Sequence, residues 1–316
     1  MITVSVCCQT YNHKDYIREC LDGFVNQQTD FNFEILIHDD ASTDGTAQIV
    51  REYEGKYPDL FRCVYQTENQ YGKINSLTDI LFKMAKGKYL AVCEGDDYWR
   101  DPLKLQKQVN VLEQNPNCVV CHTWQKLAVY NNNTHNYEEV IAPKEGHGYY
   151  PDTTANVSEI FNNNLRVKVR TICFRNLFIT GELVLPEWFY QVKYGDVPLS
   201  FIFGQYGDFY FLNEETAVYR QTNQGVSTAG IEKSDWIFNH FWAWIDVWCY
   251  ADKMYQGKYH REATHSIREF YTKILTAYKY SLKQRMKLMF NILLHLKQPL
   301  GRRLKDAYFC ISTKGN

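Results

Sequence analysis

The sequence lacks long apolar runs and any marked excess of one charge. No uncharged apolar stretch reaches the roughly eighteen residues that a helix needs to cross a bilayer. The formal net charge is −1 over 316 residues, and no zinc-finger spacing or base-reading module occurs. These absences argue against a membrane-spanning protein and a nucleic-acid-binding protein. Residues 1–6 have the composition of a strand and not of a signal peptide, so we expect a cytoplasmic protein.

Glycine-rich phosphate-binding loops are also missing. No Gly-x-Gly-x-x-Gly follows the first predicted strand, and Gly-x-x-x-x-Gly-Lys-Ser/Thr occurs nowhere in the chain. The sequence therefore disfavours a dinucleotide-binding fold and a P-loop. A protein without these loops can still bind a pyrophosphate through a cation held by carboxylates.

The ten cysteines do not indicate a disulfide framework. Five of them lie in apolar or aromatic runs, which favours buried thiols in a reducing compartment: Cys7, Cys8, Cys93, Cys173 and Cys249. Cys118 and Cys121 have the spacing of a redox or zinc pair, but no second pair accompanies them and the segment fits one strand. We therefore expect no cysteine chemistry.

Strand and helix patterns alternate through the first third of the chain. Predicted strands at residues 3–8, 33–38, 62–66 and 89–93 are separated by segments with helical spacing of apolar residues. This alternation predicts an α/β fold, with a mainly parallel sheet flanked by helices. Further on, residues 131–154 are predicted to form a long loop, residues 167–174 and 216–219 strands, and residues 199–203 a helix.

Polar clusters follow three of the predicted strands. Because ligands of open parallel sheets bind beyond the carboxyl ends of the strands, we expect the clusters to share one edge. They are Thr10-Tyr11-Asn12, Asp39-Asp40 and Glu94-Gly95-Asp96-Asp97.

The third cluster places three carboxylates within four positions. Such charges repel by roughly 1 kcal/mol or more per close pair unless a cation lies among them. Carboxylate oxygens suit Mg²⁺ or Mn²⁺, often shared with a phosphate. This loop alone is compatible with a cation site or with an ordinary polar turn.

Four motifs in order resemble bacterial family 2 glycosyltransferases of the GT-A fold, over roughly residues 1–230. They are Thr10-Tyr11-Asn12 after the first strand, the segment from Asp39 to Gly45, the segment from Glu94 to Leu105, and Gly195-Asp196 with the later Tyr219-Arg220. The resemblance implies a donor-binding half at residues 1–130 and an acceptor-binding half at residues 131–234. Beyond it, the aromatic and basic composition of residues 235–316 predicts a helical C-terminal region.

The resemblance also implies roles for single residues. The nucleotide would be bound by Thr10, Tyr11, Asn12, Asp39, Asp40, Glu94 and Arg220, and the divalent metal, Mn²⁺ or Mg²⁺, by Asp96 and Asp97. Asp196 would be the general base. Glu94 stands where the family's D-x-D loop begins with aspartate. A second departure is Thr222, where related sequences often carry a histidine near the metal or phosphate.

The implied activity is inverting transfer of a sugar from a nucleoside-diphosphate sugar, with UDP as the expected nucleotide, to a saccharide or lipid-linked saccharide in bacterial surface polysaccharide synthesis. Two alternatives remain open. A nucleotidyltransferase also uses metal and acidic strand ends, although it normally has a glycine-rich basic loop that this chain lacks. A non-catalytic nucleotide-sugar-binding protein would tolerate the change at Thr222.

The C-terminal region carries a local excess of positive charge. Fourteen Lys or Arg against four Asp or Glu lie after residue 251. An apolar stripe consists of Met286, Met289, Phe290, Leu293, Leu294 and Leu296, and its basic flanks are Lys283, Arg285, Lys287, Lys297, Arg302, Arg303 and Lys305. This composition fits a helix that lies on an anionic membrane, here the inner face of the cell membrane. Packing of the stripe on the protein or on a second subunit is the alternative.

Overall fold

The computed structural model describes residues 1–142, 152–192, 195–222, 233–279 and 281–313. Its strands are β1 (Val4–Thr10), β2 (Phe33–Asp39), β3 (Phe61–Tyr65), β4 (Tyr89–Val92), β5 (Tyr98–Trp99), β6 (Cys118–Asn131), β7 (Asn136–Ile141), β8 (Thr153–Ala155), β9 (Cys173–Arg175) and β10 (Asp208–Gln221).

The α-helices are α1 (Ile17–Val25), α2 (Thr46–Lys56), α3 (Phe82–Met84), α4 (Lys104–Gln114), α5 (Val157–Phe161), α6 (Asp196–Phe203), α7 (Lys233–Met254), α8 (His260–Ala277), α9 (Leu282–Leu294) and α10 (Leu300–Ser312). A π-helical turn (Ser76–Leu81) and two 3₁₀ turns (Val169–Thr171 and Glu187–Gln191) connect them.

One sheet organises the described residues, in the order β3-β2-β1-β4-β9-β6-β10-β5. Strands β1 to β4 pair in parallel, as the alternation of strands and helices predicts. Strand β9 is antiparallel to both of its neighbours, β4 and β6, so the second half of the sheet is mixed. The predicted α/β fold is confirmed, and the carboxyl ends of β1, β2 and β4 meet at one edge.

Residues 118–121 and 124–130 belong to one strand, β6, which runs parallel to β10. One prediction for the middle of the chain was wrong. Part of the predicted loop 131–154 is the hairpin strand β7, antiparallel to β6, and part is β8; residues 143–151 lie outside the described residues. The asparagines there mark a hairpin turn, and Tyr137 of β7 packs against Tyr130 and Tyr16 with ring centroids 5.4 and 5.9 Å apart.

The segment 167–174, predicted as one strand, contains the 3₁₀ turn Val169–Thr171 and the start of β9. The ten cysteines are free thiols, and the five expected in the core are buried. Cys118 and Cys121 are buried in β6, which agrees with the expectation of a structural role.

The C-terminal helices share a hydrophobic core with the sheet. Trp248 of α7 packs edge-on against Phe201 of α6 and Phe270 of α8, with ring centroids 4.9 and 5.0 Å apart. The Trp248 indole Nε1 donates a hydrogen bond to the Phe161 carbonyl at 3.0 Å. The buried cluster therefore continues across residues 130 and 234, the predicted limits between the parts of the chain.

Helices α9 and α10 close the described chain. Leu288 and Ile292 are buried on one side of α9, while Phe290 and Leu294 on the other side are 55% and 74% exposed. None of the described helices is both long and apolar enough to cross a membrane.

Because α7 and α8 share the core of the sheet, we expect Phe270→Ala to lower the free energy of unfolding by about 3–5 kcal/mol. Urea denaturation followed by circular dichroism and by tryptophan fluorescence should give one coincident transition. Phe290→Ala is the control, because this exposed ring should change the stability by less than about 0.5 kcal/mol. Two separate transitions would instead show that the C-terminal helices fold as an independent unit.

Candidate active site

The acidic loop connects β4 to β5 and contains all three predicted carboxylates. One oxygen from each of Glu94, Asp96 and Asp97 lies within 4.8 Å of the others. Gly95 allows this loop to lie directly against β1, because a Cβ there would come within 2.6 Å of the Thr10 Oγ1. The cluster therefore depends on close backbone approach as well as on its charges.

Asp97 is the buried member of the loop. Its Oδ2 pairs with the Arg170 Nε, and its Oδ1 accepts a hydrogen bond from the Arg220 backbone N–H at 2.9 Å. Burial raises the pKa of Asp97 to about 6, and the Arg170 charge acts in the opposite direction. Both oxygens thus have protein partners, and this position supports the loop from below.

The segment that carries Arg170 is held by side chains that follow the acidic loop. Three successive carbonyls, of residues 170–172, accept hydrogen bonds: from the Trp99 Nε1 at 2.9 Å, the Gln108 Nε2 at 2.8 Å and the Lys104 Nζ at 3.4 Å. Lys104 is fully buried, and its Nζ also donates to the Gln108 Oε1 at 2.5 Å. The guanidinium of Arg170 is therefore placed by a segment fixed at three consecutive points.

Glu94 and Asp96 are the more accessible carboxylates, with side chains 39% and 20% exposed. The Gln9 Nε2 donates to the Glu94 Oε1 at 3.1 Å, and the Arg170 Nη2 lies 3.9 Å from the Glu94 Oε2. Burial and then the neighbouring Glu94 charge raise the pKa of Asp96 to about 6. Crowded, accessible carboxylate oxygens of this kind fit a hard divalent cation, whose charge would offset their repulsion.

His13 lies beside Asp96, with 4.0 Å between the His13 Nε2 and the Asp96 Oδ2. Burial lowers the pKa of His13 to about 4, so its imidazole is neutral at pH 7 and the two groups do not form an ion pair. Its Nδ1 lies 3.2 Å from the Thr10 Oγ1, which links the Thr10 turn to the acidic loop.

Arg220 lies behind the acidic loop and not in front of it. Its Nε donates to the Asp96 carbonyl at 3.0 Å, and its Nη2 pairs with the Glu19 Oε2 at 2.5 Å. Three tyrosine rings surround the guanidinium at centroid distances of 4.9 to 5.2 Å: Tyr16, Tyr98 and Tyr137. The Arg220 side chain is only 6% exposed and supports the backbone of the loop, and its nucleotide-binding role stays a prediction.

The loops after β1 and β2 are joined by Asn12, whose φ of 53° is left-handed. The Asn12 N–H donates to the Ser42 Oγ at 2.9 Å, and the Asn12 Oδ1 accepts from the Thr43 N–H at 2.8 Å. Asn12 therefore fixes the distance between the two loops. The neighbouring Tyr11 is 44% exposed at the same edge of the sheet.

The two aspartates after β2 have different surroundings. The Asp40 Oδ1 accepts a hydrogen bond from the Gln70 N–H at 2.7 Å. The Asp39 Oδ2 accepts from the Ser42 N–H at 3.1 Å, whereas the buried Asp39 Oδ1 has no hydrogen-bond partner among the described residues. A buried acceptor without a partner is costly in a folded protein, so Asp39 offers a ready contact for a ligand N–H or O–H.

Asp196 is the first residue of α6, and its Oδ1 accepts from the Val197 N–H at 2.9 Å. Its negative charge is one of the influences on the pKa values of Lys168 and Glu94. The structure therefore brings Asp196 towards the acidic loop from the opposite half of the chain. Thr222, the position where related sequences often carry a histidine, is buried directly after β10.

Sequence reasoning missed Arg170, His13 and Gln9, because none of them belongs to a motif. One signal was available for Arg170. Basic residues alternate with valines in the run Arg166-Val-Lys168-Val-Arg170, a pattern that places the three cations on one side of an extended segment.

Comparisons with known proteins identify the family. The family description "Glycosyl transferase family 2" matches residues 5–176, more than half of the chain. An uncharacterized protein of Mycobacterium tuberculosis is 50% identical over 118 residues, 37% of this chain and 34% of the relative. The poly(ribitol-phosphate) beta-N-acetylglucosaminyltransferase TarS of Staphylococcus aureus is 37% identical over 101 residues, 31% of this chain and 17% of the relative. The chain thus spans about a third, or less, of the length of these relatives.

Solved structures share the fold at low sequence identity. TarS residues 1–349 of S. aureus in complex with UDP has a TM-score of 0.61 and 16% identity, over 91% of this chain and 78% of that one. The mannosyltransferase PcManGT of Pyrobaculum calidifontis, in complex with GDP-Man and Mn²⁺, has a TM-score of 0.57 and 17% identity, over 98% and 84%. These likenesses confirm the GT-A fold that the motifs imply. On the family match and this fold, the chain belongs to glycosyltransferase family 2.

Proposed function

We propose that the protein transfers a sugar from a UDP-sugar to an acceptor hydroxyl with inversion, in the synthesis of a bacterial surface polysaccharide. The observation that carries this proposal is the acidic loop, where the accessible Asp96 and Glu94 lie next to the buried pair of Asp97 and Arg170. Asp196 lies near enough for its charge to contribute to the raised pKa of Glu94, which is due first to burial. UDP is preferred to GDP because TarS, which is also a relative in sequence, has been crystallised with UDP and with UDP-GlcNAc. Two relatives are named for poly(ribitol-phosphate), which motivates the proposed pathway.

The nucleotide is bound by the loops that follow β1 and β2. The free Asp39 Oδ1 accepts an N–H of the base, and the exposed Tyr11 ring lies beside it at the same edge. The Thr10 carbonyl, which accepts from the Asp40 N–H at 2.9 Å, and the Asn12 side chain fix the relative positions of these loops. The Asp40 carboxylate in turn positions the segment at Gln70 by accepting from its N–H. In this assignment Asp39 supplies the main polar contact with the base.

A divalent cation, Mn²⁺ or Mg²⁺, would be held by Asp96, with Glu94 as the second carboxylate. When bound, it supplies positive charge that stabilises the departing diphosphate. Asp97 keeps the loop in place through Arg170 and the Arg220 N–H. Arg170, 3.9 Å from Glu94, adds a fixed positive charge next to the same carboxylates.

Asp196 acts as the general base in this proposal. It accepts the proton of the acceptor hydroxyl as that oxygen attacks the anomeric carbon from the face opposite the diphosphate, which gives inversion. The cations Arg166 and Lys168 lie near enough to Asp196 for its charge to raise their pKa values against the effect of burial.

A non-catalytic binder and a nucleotidyltransferase make different predictions from the same site. With Mg²⁺ or Mn²⁺, UDP should raise the melting temperature, because it binds only the folded state. Slow metal-dependent release of UDP from a UDP-sugar identifies the transferase. Binding without release identifies the binder, and formation of pyrophosphate from UTP and a sugar phosphate identifies the nucleotidyltransferase.

We expect Asp96→Ala to abolish metal-dependent UDP binding without unfolding the chain. Removing one carboxylate relieves repulsion, so the melting temperature without metal should stay level or rise. The measurement is thermal stability with and without UDP and Mn²⁺, and the exposed Asp59→Ala is the matched control. A large loss of stability without metal would show that Asp96 is structural.

We expect Asp196→Asn to lower turnover by about 10²-fold or more while UDP affinity is kept, because the amide cannot accept a proton. The asparagine Oδ1 still accepts from the Val197 N–H, so the helix end should keep its stability within a few tenths of a kcal/mol. UDP release from the UDP-sugar measures turnover, and calorimetry measures UDP affinity. Full turnover in this variant would eliminate Asp196 as the base.

We also propose that α9 and α10 dock on the anionic inner face of the cell membrane, which makes the protein cytoplasmic and peripheral. The apolar stripe is divided in the structure: Met289 and Leu293 pack on the core, whereas Phe290, Leu294 and Leu296 are 55% to 84% exposed. Leu300 and Leu304 of α10 are 59% and 55% exposed and extend the apolar surface.

Exposed lysines supply the charge that such a surface requires. Arg302 and Lys297 pair with Asp252 and Asp246, and Arg303 donates to the Leu293 carbonyl. In contrast, three exposed lysines have no partner among the described residues: Lys283, Lys287 and Lys305. Each lysine near an anionic surface contributes about 1 kcal/mol to binding.

We expect the full chain to sediment with vesicles that contain anionic lipid, less so at high salt, and Leu294→Glu to reduce this binding strongly. Val184→Glu, which replaces another exposed apolar residue away from α9, is the control. A point variant is preferable to truncation because Leu288 and Ile292 are part of the core. Equal binding to neutral vesicles, or a dimer in light scattering that Leu294→Glu dissociates, would contradict membrane docking.

A further inference from the structure

The segment that precedes β9 presents a row of basic side chains. Leu165 and Val167 are buried at 7% and 8% exposure, and Val169 packs against the same hydrophobic cluster. Lys168 has extended backbone angles, φ −100° and ψ 127°. Successive side chains in such a segment point to opposite sides, so Arg166 and Lys168 lie on the side opposite Leu165 and Val167, and Arg170 follows in the 3₁₀ turn.

The two ends of this row have well-defined contacts. Arg170 pairs with Asp97 at the acidic loop. Arg166 stacks on the Trp244 ring of α7, with 3.6 Å between its guanidinium carbon and the ring centroid, and it donates to the Asn163 Oδ1. Thus the row extends from the acidic loop to the C-terminal helices.

Lys168, in the middle of the row, is partly buried, and its ammonium has no hydrogen bond or ion pair with any described residue. Burial lowers the pKa of Lys168 to about 8 and the pKa of Arg166 to about 10, and the Arg166 and Arg170 charges lower the pKa of Lys168 further. Asp196 acts on both cations in the opposite direction, and Glu269 does the same to Arg166. No described carboxylate forms an ion pair with the Lys168 ammonium, so an anion could neutralise this cation.

The row also continues into a groove. Asn163, the partner of Arg166, lines a groove of about 760 Å³ between residues 162–164 and α8, whose lining includes Arg268 and Lys273. This groove is formed by segments other than the β1 and β2 loops proposed to hold the nucleotide. In the sheet, β1 and β2 lie on one side of β4, and β9, which the basic segment precedes, lies on the other side.

We propose that Arg166 and Lys168 bind an anionic group, a phosphate or a carboxylate, of the acceptor whose hydroxyl Asp196 deprotonates. The inference rests on the proposed function and deepens it by giving the chemical class of the acceptor. Arg170 remains with the acidic loop at the donor, while Lys168 and Arg166 extend away from it on the acceptor side. The groove holds the rest of an acceptor longer than one sugar unit.

Calorimetric titration of the full chain, with saturating UDP and Mg²⁺ to occupy the donor site, tests this proposal. The probes are glycerol 3-phosphate against glycerol, and glucuronate against glucose. We expect at least one anion to bind and neither neutral compound to bind. Lys168→Gln should weaken binding of that anion by about tenfold or more, because a charge-assisted hydrogen bond is lost.

Lys168→Arg should retain binding, and the exposed Lys83→Gln should behave like the unaltered chain. The melting temperature of Lys168→Gln should not fall, because the variant removes a buried, unpaired cation. UDP affinity should also be unchanged in it.

Three results would overturn the proposal: no binding of either anion, anion binding that UDP abolishes, or equal anion binding by Lys168→Gln. The second would place the anion in the donor site. Failure of UDP itself to bind would refute the proposed function. Because UDP binding is titrated separately from anion binding, the two failures can be distinguished.

Discussion

The buried ion pair between Asp97 and Arg170 is the interaction on which the candidate site depends. It ties the acidic loop after β4 to the segment before β9, two neighbouring strands that the chain reaches far apart in sequence. Removing one partner of such a pair leaves an uncompensated buried charge, which typically costs about 3–5 kcal/mol. Because Arg170 is itself held through three backbone carbonyls, the pair sets the position of the loop and not merely its charge.

The local parts of this arrangement could be predicted from the sequence, and the long-range parts could not. Periodicity located β1, β2 and β4 and the clusters that follow them, because these signals lie within a few neighbouring residues. The partner of Asp97 lies 73 residues further on and belongs to no motif. For the same reason the motifs, which predict Asp97 as a metal ligand and Arg220 as a nucleotide ligand, do not indicate that both residues also support the loop through long-range contacts.

The C-terminal region shows the same limit in another form. Its aromatic and basic composition correctly predicted helices. The sequence of an apolar stripe does not indicate which part of the protein, if any, covers it. Helix α9 buries Leu288 and Ile292 and leaves Phe290 and Leu294 exposed, so one stripe serves two environments. The hairpin strand β7 was missed because its burial is slight and its residues are polar, and β strands at such positions are specified by cross-strand pairing.

The distance in sequence between Asp97 and its partners has a consequence for synthesis of the chain on the ribosome. The Arg220 N–H that Asp97 accepts from is 123 residues downstream, a delay of roughly 6–25 s at typical rates of translation. Until Arg170 is added, 73 residues after Asp97, the parallel strands β1 to β4 can already pair while the acidic loop at their edge lacks its cationic partner. A nascent chain that ends before residue 170 therefore contains the loops after β1 and β2 but not the arginine that holds the acidic loop in position.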